Sequence, residues 1–151
     1  MHIGAIMKEK GDTVYSTVPA NTLGAVVDQL LDLHISCLVV LSETGDLVGI
    51  VTERDIVRTL KSRPDDWKHV TVDEVMTRNL YVADLDASLD EVINEMRERH
   101  IRHLPVVVDG QLEGVLSIRD MIAASMVELE RHNQMLKMYI SDWPEKHEPA
   151  R

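Results

Sequence analysis

The 151-residue chain carries 16 basic against 26 acidic residues, a net charge of −10, with two Trp, three Tyr and no Phe. This charge disfavours non-specific attachment to nucleic acid or an anionic membrane, and the shortage of aromatics removes the stacking platforms that single-stranded nucleic acid uses. One cysteine excludes an intrachain disulfide framework; with no signal peptide visible and no apolar run near the ~20 residues of a membrane span, the expectation is a cytoplasmic protein.

In chain order, residues 2–12 read as a short lead-in with Ile3, Ile6 and Met7 apolar. Val14 to Val18 is β-prone and stops at Pro19, which cannot donate to a ladder. Asn21 or Thr22 is the N-cap of an amphipathic helix to about Leu33, with Leu23, Val26, Val27, Leu30 and Leu31 on one face. Leu38 to Leu41 and Leu47 to Thr52 read as strands around a turn at Gly45, followed by a helix from Glu53 to about Lys61. The order then repeats: a turn at Val72 to Met76, a strand at Leu80 to Ala83, a helix over Ser88 to Arg99 with a Ser88/Glu91 capping box, and strands Leu104 to Val108 and Leu112 to Ser117. The last helix starts near Ile118 and meets no Gly or Pro before Pro144, so some 24 residues, about 36 Å at 1.5 Å each, carry an apolar stripe past the repeat. Residues 143–151 read as a frayed tail.

The internal repeat organises the chain. Gly49-Ile50-Val51-Thr52-Glu53-Arg54-Asp55 returns 65 residues later as Gly114-Val115-Leu116-Ser117-Ile118-Arg119-Asp120. His34-Ile35-Ser36-Cys37-Leu38-Val39-Val40 returns 66 residues later as His100-Ile101-Arg102-His103-Leu104-Pro105-Val106, and Ile6-Met7 matches Val75-Met76 at 69, which leaves extra residues around Lys10-Gly11-Asp12 in the first unit. In both copies a strand ends in a hydroxyl with Asp three residues on. A pair of ordinary helix caps is one reading of that corner; a repeated ligand-binding corner is the other.

The unit resembles the cystathionine-beta-synthase (CBS) motif, and residues 1–124 resemble a stand-alone tandem CBS pair, or Bateman module. The two Gly-Xaa-Xaa-(Thr/Ser)-Xaa-Xaa-Asp segments and Arg102-His103-Leu104-Pro105-Val106 carry the resemblance; Ser36-Cys37-Leu38-Val39 departs from it by lacking the basic pair and the proline. The resemblance implies an α+β fold of two pseudo-symmetric β-α-β-β-α repeats packed through their sheets, with a long C-terminal helix. Its expected bounds are 1–62 and 70–124 for the repeats, 63–69 for the linker, 125–142 for the helix extension and 143–151 for the tail. It further implies two clefts lined by both units. The first takes Thr52, Arg54 and Asp55 together with Thr77, Asn79, Leu80, Tyr81, Arg102, His103, Leu104 and Pro105. The second takes Ser117, Arg119 and Asp120 together with Thr13, Val14, Ile35, Ser36, Cys37 and Leu38.

An ionised Asp offers two acceptor oxygens to the hydroxyls of a ribose, and Arg is a bidentate donor to phosphate. With these chemistries the ligand that the resemblance implies is an adenine nucleotide, AMP, ADP, ATP or NAD, with phosphate held mainly in the first cleft, where Arg102 and His103 stand with Arg54. Arg54 and Arg119 pointing to solvent or pairing with Asp, and His103 as a satisfied interior histidine, are the plainer alternatives. His34 and His100 fit helix C-termini, and Cys37 fits a small core hydrophobe. The histidines lack zinc-ligand spacing, and no nucleophile with its base is evident, so neither a metal site nor catalysis is expected. A non-catalytic nucleotide sensor leads; an interaction module with vestigial clefts, acting through the last helix, is the alternative. The exposed stripe suggests a homodimer through CBS faces and C-terminal helix; the effector is unknown.

Overall fold

Burying the Val- and Leu-rich runs yields two small sheets. In the computed structural model, which describes residues 1–142, β1 (Ser16–Thr17), β2 (Cys37–Leu41) and β3 (Leu47–Thr52) form a three-stranded sheet, β1 parallel and β3 antiparallel to β2. β4 (His103–Val108) and β5 (Gln111–Ser117) form an antiparallel pair. The expected tail at 143–151 lies outside the described residues. Leu38, Val40 and Val51 turn one way, onto α2 (Leu23–Leu33), and Leu104, Val106 and Leu116 turn onto α5 (Leu89–Glu98). Val39 and Pro105 are buried as well, yet belong to neither cluster. Since successive strand residues face opposite sides, these two lie where one sheet meets the other.

Each core is completed by the other unit. The expected lead-in is α1 (Ile3–Lys10), and Ile3, Ile6 and Met7 lie in the second unit's core. The expected turn at 72–76 is α4 (Val72–Val75), and Val70, Val72 and Met76 lie in the first unit's core. The exchange is symmetric down to its backbone bonds: Ile3 N–H donates to Ala87 O and Val72 N–H to Asn21 O, while Leu89 N–H donates to Met1 O and Leu23 N–H to Val70 O. Two glycines make room for the exchanged helices. A Cβ on Gly49 would sit 2.7 Å from Met76 Sδ and 3.0 Å from Thr77 O, and one on Gly114 would overlap Met7 Cε. Thr22 proves to be the cap of α2, accepting from Ala25 N–H. His34 and His100 both adopt left-handed backbone, φ 53° and 54°, and the next residues close matching helix ends, Ile35 N–H to Leu30 O and Ile101 N–H to Met96 O. That six-to-one bond is the Schellman closure.

Both first strands are shorter than expected. In the first unit only Ser16–Thr17 is strand, and Val39 N–H donates to Tyr15 O. In the second, the segment 80–83 keeps one bridge, Ala83 to Val106. The residue matching Val39 there is Pro105, which has no N–H to give, so the equivalent rung cannot form. The linker contains one 3₁₀ turn, Trp67–His69. α3 spans Glu53–Ser62 and α6 spans Ile118–Ser141, 24 residues.

Two substitutions test the exchange. Ile3→Ala removes a fully buried side chain from the second unit's core and is expected to cost about 2–5 kcal/mol in urea unfolding. Gly49→Ala is expected to cost about 1–3 kcal/mol, because its methyl meets the Thr77 carbonyl as well as Met76, and Gly114→Ala less, because the end of Met7 can rotate away. Equal losses for the two glycines would show that the exchanged helices do not set them apart.

Candidate functional site

The repeated corner is built by the turn from strand into helix. Thr52 N–H and Thr52 Oγ1 both donate to Asp55 Oδ2, at 2.9 and 3.3 Å. Ser117 N–H and Oγ repeat this with Asp120 Oδ2 at 2.7 and 3.0 Å, and Asp120 N–H returns a bond to Ser117 Oγ at 3.3 Å. Both corners are therefore capping boxes. The cap and ligand readings are compatible at Asp55, because the cap uses Oδ2 and leaves Oδ1, whose nearest cation is Arg58 at 4.0 Å.

Each corner opens on a cleft between the units. The first, about 550 Å³, is lined by Thr52, Arg54, Asp55, Thr77, Asn79, Leu80, Tyr81, Arg102, His103 and Pro105, all expected there. The second, about 750 Å³, is lined by Thr13, Val14, Ile35, Ser36, Cys37, Ser117 and Arg119 of the expected set. Leu104 and Leu38 are corrections: both are fully buried in the helix-facing cores. Strand alternation explains this, since His103 and Pro105, like Cys37 and Val39, face the clefts and the residues between them must not. Asp120 is not on the second wall. Lys10 Nζ stands over it, donating to Asp120 Oδ2 at 2.7 Å and to Val115 O at 2.6 Å.

Lys10 was missed because it falls in the extra residues of the first unit. α1 has eight residues where α4 has four, and that additional turn carries Lys10 to the corner. Ile101, Arg58 and Arg99 of the first cleft were also missed. Ile101 was legible: it matches Ile35 at the 66-residue offset. Arg99 was not, because its place depends on stacking over Tyr81, 4.9 Å from the ring centre.

The charges of the two corners differ accordingly. Burial pushes the Asp55 carboxyl above its ordinary range, outweighing the Thr52 bonds and the charges of Arg58 and Arg54. At Asp120 burial pushes the same way, but the Lys10 bond, the Ser117 N–H and the Lys10 charge together outweigh it and hold the carboxyl below its ordinary range. Between the clefts, Ser36 Oγ and His103 Nε2 are hydrogen-bonded at 2.8 Å, and both residues line both cavities. Burial, with Lys10 and Arg102 nearby, lowers the His103 pKa, so this ring is neutral at pH 7 and adds no positive charge. Burial pushes the Cys37 thiol up to about 12, which suits a packing residue. Arg54 Nη1 reaches across the first cleft to within 3.4 Å of His100 O.

Comparison with known proteins agrees with this architecture. The family model for the CBS domain matches residues 3–62 and 72–127. An uncharacterised 17.7 kDa protein of Acidianus ambivalens is 31% identical over 112 residues, 74% of this chain and 66% of that one. The uncharacterised protein YlbB of Bacillus subtilis is 33% identical over 112 residues, 73% of this chain and 74% of that one. Among solved structures, a CBS-domain protein of Agrobacterium tumefaciens superposes with a TM-score of 0.80 at 27% identity, covering 82% of this chain and 92% of its own. The CBS domain pair of protein MJ0100, solved with 5'-methylthioadenosine and S-adenosyl-L-methionine, has a TM-score of 0.72 at 26% identity over 82% of this chain and 98% of its own. No helix among the described residues is long and apolar enough to cross a membrane. The repeat read in the sequence is the CBS domain, and the chain belongs to that family as a tandem pair.

Proposed function

We propose that this chain is a non-catalytic sensor that binds an adenine nucleotide, AMP, ADP, ATP or NAD, with the first cleft as the phosphate-binding site. One observation carries the reading: four arginines, Arg54, Arg58, Arg99 and Arg102, line the first cleft, Arg102 shared with the second and Arg99 also bonded to Glu95, in a chain of net charge −10. Guanidinium groups are the bidentate partners of phosphate. Asp55 supplies a free carboxylate oxygen for ribose hydroxyls, and Ile50, Leu80, Ile101 and Pro105 supply apolar wall for a purine. The MJ0100 pair holds two adenosine compounds that lack phosphate; the arginine cluster here favours a phosphorylated relative. The second cleft is the weaker candidate, because Lys10 already occupies Asp120.

Catalysis has little support in the geometry. Ser36 with His103 is a hydroxyl–imidazole contact, but among the described residues no carboxylate is hydrogen-bonded to the ring's second nitrogen to orient it, as a nucleophile–base pair requires. In the same reading the pair works as a homodimer through its CBS faces, where Leu31, Val57 and Leu60 are exposed on α2 and α3, and through α6, and its state is read by a separate effector.

Thermal melts test the site. A ligand that binds only the folded state stabilises it by about 2.7 kcal/mol at 100 Kd, a shift of several degrees. AMP, ATP or NAD is expected to raise the melting temperature of the wild type, Asp55→Ala is expected to abolish most of that rise, and Arg102→Ala to weaken AMP more than adenosine. The cap alone would cost about 0.5–2 kcal/mol in the free protein and leave the ligand shift intact. If no adenine compound moves the wild-type melt and none co-purifies, the clefts are vestigial and docking through α6 is the function.

A pH series tests the contrast between the corners. Asp55 has a raised folded pKa, so its contribution is full below the unfolded value near ~4 and is lost as pH rises through the folded value. Asp120 has a lowered folded pKa, so its contribution is present above ~4 and is lost as pH falls through the folded value. From pH ~3 to ~7, Asp55→Asn is therefore expected to gain stability relative to wild type and Asp120→Asn to lose it. Parallel slopes in urea midpoints would refute the assignment of a counter-ion to Asp120 alone.

A further inference from the structure

The second half of α6 is not explained by the paired domains. Every residue from 129 to 142 is exposed, so a stretch of helix stands clear of the body. Ile122, Met126, Leu129, Leu136 and Ile140 are exposed large apolar residues, 53%, 66%, 63%, 60% and 75% accessible. Their successive spacings are 4, 3, 7 and 4. That is the a/d seam of a seven-residue repeat, and Asn133 fills the position inside the seven-residue step. Met121 and Ala124 pack on the second unit's core, and Glu128 binds the terminal amine of Met1 at 2.9 Å. At ~100° per residue these three point roughly 100–160° away from the seam, so the body leaves the seam open.

We propose that α6 pairs with α6 of a second copy as a parallel, in-register, two-stranded coiled coil whose register is set by Asn133. The occupant follows from the seam's own composition. A single amide in an apolar seam is satisfied by another amide at the same level, and an in-register second copy supplies it. An antiparallel partner sets each a position against a d position, which would bury Asn133 against Leu129 or Leu136 with its amide unpaired. Charge also permits a second copy here: along α6, Arg119, Arg131 and Lys137 balance Asp120, Glu128 and Glu130, although the chain as a whole is at −10. The proposal rests on the dimer through α6 proposed above and is independent of what the clefts hold.

Sedimentation of the full chain at micromolar concentration, with cysteine cross-linking, tests it. The wild type is expected to sediment as a dimer, and the Leu129→Glu/Leu136→Glu variant to dissociate at about ten-fold or more higher concentration with an unchanged far-ultraviolet spectrum, since contacts through the CBS faces remain. In a Cys37→Ala background, Leu129→Cys and Leu136→Cys are each expected to give a disulfide-linked dimer on mild oxidation, because in-register parallel pairing brings both positions to themselves, whereas an antiparallel pair centred near one holds the other about 20 Å apart along the axis. A monomeric wild type overturns the proposal, as does a dimer whose dissociation constant the two glutamates leave unchanged. A dimer that the glutamates weaken yet that gives a disulfide at only one of positions 129 and 136, or at neither, overturns the parallel register.

Discussion

Neither CBS core closes on its own residues. A unit of some sixty residues buries too little surface to be secure alone, and here each borrows a helix: α1 brings Ile3, Ile6 and Met7 to the second unit, and α4 with its flanks brings Val70, Val72 and Met76 to the first. The methionines of the exchanged helices lie against Gly49 and Gly114. These are the opening glycines of the segments that end in Asp55 and Asp120. The feature that reads in sequence as a ligand signature therefore begins with a packing requirement, and the corners are positioned by the helices that lock the units together.

The exchange also makes the clefts unequal. A perfect repeat would have given two equivalent corners. The additional turn of α1 brings an ammonium group to one of them, so Asp120 is neutralised from within while the nearest cation to the open oxygen of Asp55 is Arg58 at 4.0 Å. Around Asp55 the positive charge stands further out, on arginines of α3 and of the second unit. One corner is internally satisfied; the other leaves a carboxylate oxygen open to the cleft.

Much of this was legible in the chain. The in-phase hydroxyl–Asp segments, the strand pairs, α2, α5 and the length of α6 follow from periodicity and from a repeat whose offsets hold within a residue or two. What failed has identifiable causes. Residues 2–12 and 72–76 are too short to show a helical period, and their burial depends on the opposite unit, so they looked like a lead-in and a turn. Leu104 and Leu38 were placed in the clefts because whole motifs were carried over, although alternation turns every second residue away. Lys10 lay where the two copies cease to align. The neutrality of His103 follows from tertiary burial beside two cations, which the pair Arg102-His103 does not reveal.

The proline at 105 separates the clefts in a further respect. Val39 ties the first-unit segment at Tyr15 to its sheet with a backbone bond, whereas in the second unit the segment from Thr77 to Tyr81 runs along the first cleft and joins β4 only at Ala83. Segments with few ladder bonds open at lower free energy than the sheets they border. The wall of the first cleft is thus tied at Thr77, which exchanges two backbone bonds with Ile50, and again at Ala83, with the residues between them outside any ladder. A guest against Asn79 to Tyr81 would bear the entropy of ordering that short span, and whatever touches the span from outside would share in the same free energy.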